Sequence, residues 1–311
     1  MKSRKLIMLL GAGLLLGCEQ ANVREEPAET EPGAIPGAEA GAADLFVAEA
    51  TGGAQLLFVA QEDTRPEGAR SGAVFVPMAT FSVERDGIPN EFPPAESMAA
   101  QLEAAGVQGD RFVIVGAPIP AGRAYAALDY LGLGDRTALH EGGLAALESA
   151  ARAPEGAPAV GGELEIDVRE DMIVDAEWVR ERLDDDGVVV LDARPPAEFS
   201  GDTPGEGIER PGHIQGARNV FWETLVESPE APRLKPEAEL RRIFEDAGVG
   251  PGDTVVAYCR TGGQASFLYT VARHLGYDAR LYDGSFVDWS RTDFPVERGA
   301  ATEAAAGTPG G

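Results

Sequence analysis

Thr254-Val255-Val256-Ala257-Tyr258-Cys259-Arg260-Thr261-Gly262-Gly263-Gln264 is the stretch whose reading decides the fold of this chain. The run before Cys259 is apolar and rich in β-branched residues, as expected of a buried strand. Gly262 and Gly263 allow the backbone to curl, because glycine tolerates positive φ. Residues 265–275 then place Leu268, Val271, Ala272 and Leu275 on one helical stripe, stopped by Gly276. Strand, tight loop and helix in that order predict an α/β fold. Cys259 stands where the strand ends, a place where a cysteine can be ringed by loop N–H groups and face the positive end of a helix. Both favour a thiolate over a thiol. A lone cysteine is ordinarily a small buried hydrophobe, but the polar, glycine-rich setting here points to a reactive one.

The pattern occurs twice, with a period of about 144 residues. Gly68-Ala69-Arg70-Ser71-Gly72-Ala73 aligns with Gly212-His213-Ile214-Gln215-Gly216-Ala217. Arg111-Phe112-Val113-Ile114-Val115 aligns with 254–258, residues 123–132 with 267–276, and His140-Glu141-Gly142 with Tyr282-Asp283-Gly284. Each unit alternates strands and helices, which predicts a mainly parallel sheet flanked by helices. Val188-Val189-Val190-Leu191 reads as a buried strand, and 236–247 as a helix closed by Gly248. The expected divisions are a domain at 43–150, a Pro- and Ala-rich linker at 151–162, a second domain at 163–298 and a disordered tail at 299–311.

Residues 1–17 read as an address. Lys2, Arg4 and Lys5 precede an apolar run too short to span a bilayer, which ends in Leu15-Leu16-Gly17-Cys18. That ending resembles the lipobox of bacterial lipoproteins, which implies acylation of Cys18 and a place in the cell envelope, facing the periplasm or exterior. Residues 18–42, rich in Glu, Ala, Pro and Gly, form a disordered tether of about 25–30 Å mean reach. The formal net charge is −26, and loss of residues 1–17 removes three positive charges to leave −29. Such a charge argues against nucleic acid and against anionic headgroups, so membrane contact is expected through the lipid alone. With Cys18 acylated, Cys259 has no disulfide partner, no thiolate metal site can be built, and His140, His213 and His274 show no ligand spacing.

The second unit resembles the rhodanese family of sulfurtransferases, and the whole chain resembles its tandem-domain members. Asp192-Ala193-Arg194, Glu198-Phe199-Ser200-Gly201, 211–217, 258–266, Tyr282-Asp283-Gly284-Ser285 and Asp288-Trp289 carry the resemblance. It implies two rhodanese-like domains, a persulfide-forming Cys259, and an anion-binding loop of Arg260, Thr261, Gly262, Gly263 and Gln264. It implies no cofactor and no metal. The expected donor is a small anionic sulfur compound, and the acceptor is cyanide or a thiol, including a protein thiol. Arg260 would guide the donor, while Thr261 and Gln264 would offer it hydrogen bonds. Asp192 and Arg194 read as a supporting pair that pins the first loop, His213 as loop packing, and Tyr282 and Trp289 as core or pocket wall. The first unit has no cysteine, and Pro118 and Pro120 remove N–H donors from its corresponding loop, as in an inactive half.

Cys-Arg-x-Gly resembles thiosulfate-type loops rather than the Cys-Gly-Ser-Gly of mercaptopyruvate-type members. Thr261 replaces a donor-holding lysine, however, and Glu198 replaces a substrate-binding arginine, so weaker donor binding follows. Two other readings use the same fold: a non-catalytic sulfur carrier that docks a partner, and a phosphatase. The latter needs a longer loop and an arginine where this chain has Ala265.

Overall fold

The computed structural model describes residues 45–49, 53–62, 73–143, 145 and 163–299. The leader with Cys18, the tether, the stretch from Gly68 to Gly72, the linker at 151–162 and the tail beyond Gly299 lie outside the described residues.

The first half comprises β1 (Phe46–Val47), β2 (Gln55–Ala60), β3 (Ala73–Pro77), a hairpin of β4 (Val83–Arg85) and β5 (Ile88–Glu91), α1 (Ala95–Ala104), β6 (Phe112–Val115), α2 (Pro118–Tyr130) and β7 (Thr137–His140). The second comprises β8 (Ile173–Val174), α3 (Ala176–Arg180), β9 (Val188–Asp192), α4 (Pro196–Phe199), β10 (His213–Ile214) and β11 (Arg218–Asn219). It continues with β12 (Val226–Ser228), β13 (Ala231–Leu234), α5 (Glu237–Asp246), β14 (Thr254–Tyr258), α6 (Gly263–His274), β15 (Asp278–Tyr282), α7 (Ser285–Trp289) and β16 (Val296–Glu297).

Each half has a five-stranded sheet. The orders are β3-β2-β6-β7-β1 and β11-β9-β14-β15-β8. Every pairing in both sheets is parallel. Position for position the two orders are the same, with β6 and β14 in the middle. A central parallel strand is covered on both faces, which is why Phe112-Val113-Ile114-Val115 and Val255-Val256-Ala257-Tyr258 are apolar and buried throughout.

The helices that follow those central strands, α2 and α6, pack on each other. At Gly122 the approach is so close that a Cβ would lie 2.6 Å from Phe267 Cα. This explains a departure from the expected single stripe on α6: residues 265–272 are all buried, including Phe267 and Tyr269. One face lies against its own sheet and the other against the first half. Leu57, Ile114 and Leu128 accordingly share one apolar core with Leu191, Val255 and Phe267. A polar node reinforces it. Asp129 on α2, 2% exposed, accepts from Arg169 Nη1 and from Tyr269 Oη, each at 2.6 Å, with Arg273 Nε at 3.3 Å.

Gly122→Ala drives a methyl into the α6 backbone, which a packed core cannot absorb. We expect a loss of about 1–3 kcal/mol, read as a fall in Tm of several degrees by scanning calorimetry.

Candidate active site

Cys259 follows β14 and is 2% exposed. The backbone N–H groups of Ala265, Thr261 and Gly262 act on its Sγ, each favouring the anionic form. The geometry depends on Gly262, which caps α6 with φ of 89° and lets the chain turn around the sulfur. A Cβ there would also sit 2.8 Å from Asp283 Oδ1.

The segment after β15 braces the loop from behind. Cys259 N donates to Ser285 Oγ at 3.2 Å, and Ser285 Oγ donates to Tyr282 O at 2.9 Å. Phe286 N and Val287 N donate to the carbonyls of Cys259 and Arg260, each at 3.0 Å. Ser285 adopts φ of 55°, unusual for a residue with a side chain. Such conformations persist where surrounding bonds over-determine them.

The first half completes the site. Arg123, fully buried on α2, donates from Nη1 to Asp283 Oδ1 at 2.5 Å and to Ser266 Oγ at 3.3 Å. Its Nε donates to Phe81 O at 3.1 Å, its Nη2 to Asn90 O, and its guanidinium lies 3.8 Å from the Phe92 ring centroid. Phe92 N donates to Asp283 Oδ2 at 2.6 Å. From β5, Asn90 Nδ2 donates to Thr261 Oγ1 at 3.1 Å. On this side a cavity of about 300 Å³ is lined by residues that include Gln61, Met78, Ser82, Glu84 and Asn90.

Arg260 is paired. Its Nε donates to Glu198 Oε2 at 3.1 Å and its Nη2 to Glu198 Oε1. The expected guide for an anion is thus already holding a carboxylate. Asp192 and Arg194 are both buried and joined side to side, Arg194 Nη2 lying 2.6 Å from Asp192 Oδ2 and donating also to Gly212 O at 2.8 Å. Arg194 stacks its guanidinium 4.2 Å from the Phe286 ring centroid. The pair braces the loop after β9 and the helix α7 behind Cys259. Gly263 faces the first half, where a Cβ would meet Ile119 Cγ2 at 3.4 Å. Gln264 sits half-buried in the first turn of α6.

The supporting cast is ordinary packing. His213 Nδ1 is 2.9 Å from Phe199 O, and its ring stacks on Phe199 with centroids 3.7 Å apart. Tyr282 donates to Asp288 and Trp289 to Pro295 O, both rings being buried.

Burial pushes the Cys259 thiol above its ordinary value; the three N–H groups pull it down, and Asp192 pushes it up again. Burial thus opposes the pull toward a thiolate that the loop provides. The phosphatase reading gains nothing, since Ala265 contributes only its N–H.

Arg123 and Asn90 were not singled out from the sequence. Arg123 left a trace: from 118 to 128 it is the only charged residue in an otherwise apolar run. Asn90 left none, because hairpin residues gain meaning only from what they cover.

The model of the rhodanese-like domain matches residues 175–292. The 3-mercaptopyruvate sulfurtransferase of Escherichia coli K12 is 31% identical over 241 residues, which cover 73% of this chain and 82% of that enzyme. A protein of Synechococcus elongatus named as a thiosulfate sulfurtransferase is 42% identical over 118 residues, 35% of this chain, but the match spans only 36% of its length. Among solved structures, YnjE superposes with a TM-score of 0.67 at 21% identity, over 80% of this chain and 63% of that one. EanB in complex with ergothioneine gives 0.66 at 19%, over 79% and 64%. These two likenesses speak to the fold alone. With the long match to the Escherichia coli enzyme and the domain model lying over the Cys259 half, the chain belongs to the rhodanese family of sulfurtransferases.

Proposed function

We propose that this chain moves sulfane sulfur from thiosulfate or a persulfide donor to cyanide or a thiol, through a persulfide on Cys259. The observation that carries the proposal is the buried Cys259 at the end of the central strand, beside the Gly262 turn that opens α6, where backbone N–H groups favour anionic sulfur. In the first step the Cys259 sulfur bonds to the donor's outer sulfur. The donor's S–S bond breaks, and sulfite or a thiolate leaves with the electron pair. In the second step the acceptor attacks the outer sulfur of the persulfide, and Cys259 leaves as a thiolate. Both steps place negative charge on sulfur, where fixed N–H dipoles need no reorganisation. The first half is read as an inactive rhodanese-like domain. Its loop opens α2 with Pro118 and Pro120, which have no N–H to offer.

The long match to a 3-mercaptopyruvate sulfurtransferase supports a second donor, 3-mercaptopyruvate, to be assayed beside thiosulfate. We place the chain in the cell envelope, anchored through Cys18, on the strength of the leader sequence.

Mass spectrometry after incubation with a sulfane donor should show one added sulfur on Cys259, discharged by cyanide as thiocyanate. Cys259→Ser should lose both signals, and an unmodified wild-type Cys259 with every donor would overturn the reading. A persulfide that forms but turns over only with a partner protein would favour the carrier instead.

The pH dependence follows from the raised thiol. Below its pKa the reactive thiolate is the minor form, so kcat/KM should climb with pH past the ordinary thiol value of about 8.5. Stability runs the other way. A raised folded pKa contributes stability that is full below the unfolded value and is lost as pH rises through the folded one.

Cys18→Ala should move the protein from the membrane fraction to the soluble one, with loss of the lipid mass from its N-terminus.

A further inference from the structure

The guanidinium groups of Arg123, Arg194 and Arg260 lie on or around the Cys259 loop, and each is matched by one carboxylate. Arg123 holds Asp283, Arg194 holds Asp192 and Arg260 holds Glu198. Two of the pairs are buried and built into the fold. Arg260 is different, since its side chain is 35% exposed and lies on the loop itself. Were it free, it would be the site's attraction for an anion.

The structure fastens it instead. Glu198 grips it with both oxygens, and the Gly205 backbone lies directly on the pair. A Cβ at Gly205 would be 2.6 Å from Arg260 Nε and 3.0 Å from Glu198 Oε2. The Arg260 carbonyl is also bonded by Val287 N at 3.0 Å. For Arg260 to swing to a ligand, the Glu198 side chain, 10% exposed, would be left without its partner. An unpaired buried carboxylate is costly, so the pair stays closed.

Charge then separates the donors. Attack of the thiolate on thiosulfate gathers three negative charges at the loop, and sulfite leaves with two of them. Attack on the outer sulfur of a thiol persulfide, R–S–SH, gathers one at the reacting end and releases RS⁻. Backbone dipoles alone suit the second case; the first calls for a free cation.

We infer that Glu198 sets the donor class: by neutralising Arg260 it turns this site toward thiol persulfides and away from the thiosulfate dianion. Glu198 acts through Arg260 and is a positioning residue. The inference rests on the sulfur-transfer reading above.

The test compares glutathione persulfide with thiosulfate, each at saturating cyanide, in wild-type protein and Glu198→Gln. Wild-type kcat/KM should be higher for glutathione persulfide, a result that needs no variant to fold. In Glu198→Gln, the preference should shift toward thiosulfate by about five-fold, through KM for thiosulfate rather than kcat. A wild-type preference for thiosulfate, or an unshifted ratio in a variant that melts as the wild type does, overturns the inference and leaves sulfur transfer standing. Failure of both donors to load wild-type Cys259 overturns sulfur transfer, and this inference with it.

Discussion

The ion pair between Arg123 and Asp283 is the constraint around which the site is arranged. Its cation belongs to the first half and its anion to the second, and both are buried. Around it close the Phe81 and Asn90 carbonyls, the Phe92 N–H and the Ser266 hydroxyl. Asp283 opens the turn whose Ser285 holds the Cys259 N–H, and it fills the space that a side chain at Gly262 would need. A buried pair of this kind adds little net stability, but removing either partner strands the other. Its value lies in register: it fixes which part of the first half meets the loop.

That arrangement separates structure from charge. The loop gains rigid walls from Arg123, Arg194 and Arg260 while gaining almost no net positive field, because each guanidinium faces a carboxylate. On the proposed reading, the burden of stabilising anionic sulfur falls on N–H groups of the backbone. The anion site proposed for a chain with a formal charge of −26 is thus one made of dipoles.

Much of this was legible in the residues. The apolar run 254–258 gave its strand, Gly262 its turn, and 265–275 its helix, because these signals are local. Cys259 stood out through its position at that junction. What escaped was everything that depends on packing. The burial of Cys259 raises its thiol, and no spacing rule reports burial. The full envelopment of α6 follows from α2 lying on it, and Asn90 acts across 171 positions of sequence. Glu198 and Arg260 were each visible alone, but their pairing depends on how the loop after α4 folds back with Gly205.

The contact of α2 with α6 has a consequence for the order of folding. The first half is synthesised first, and its central helix carries Arg123 inside an apolar run. Until β15 and its following turn arrive, that guanidinium has no Asp283, and the Gly122 surface has no Phe267 to cover it. A half-made chain would therefore hold a charge without its partner and an apolar surface without its cover. The wall beside the thiol is therefore complete only once the second half is in place.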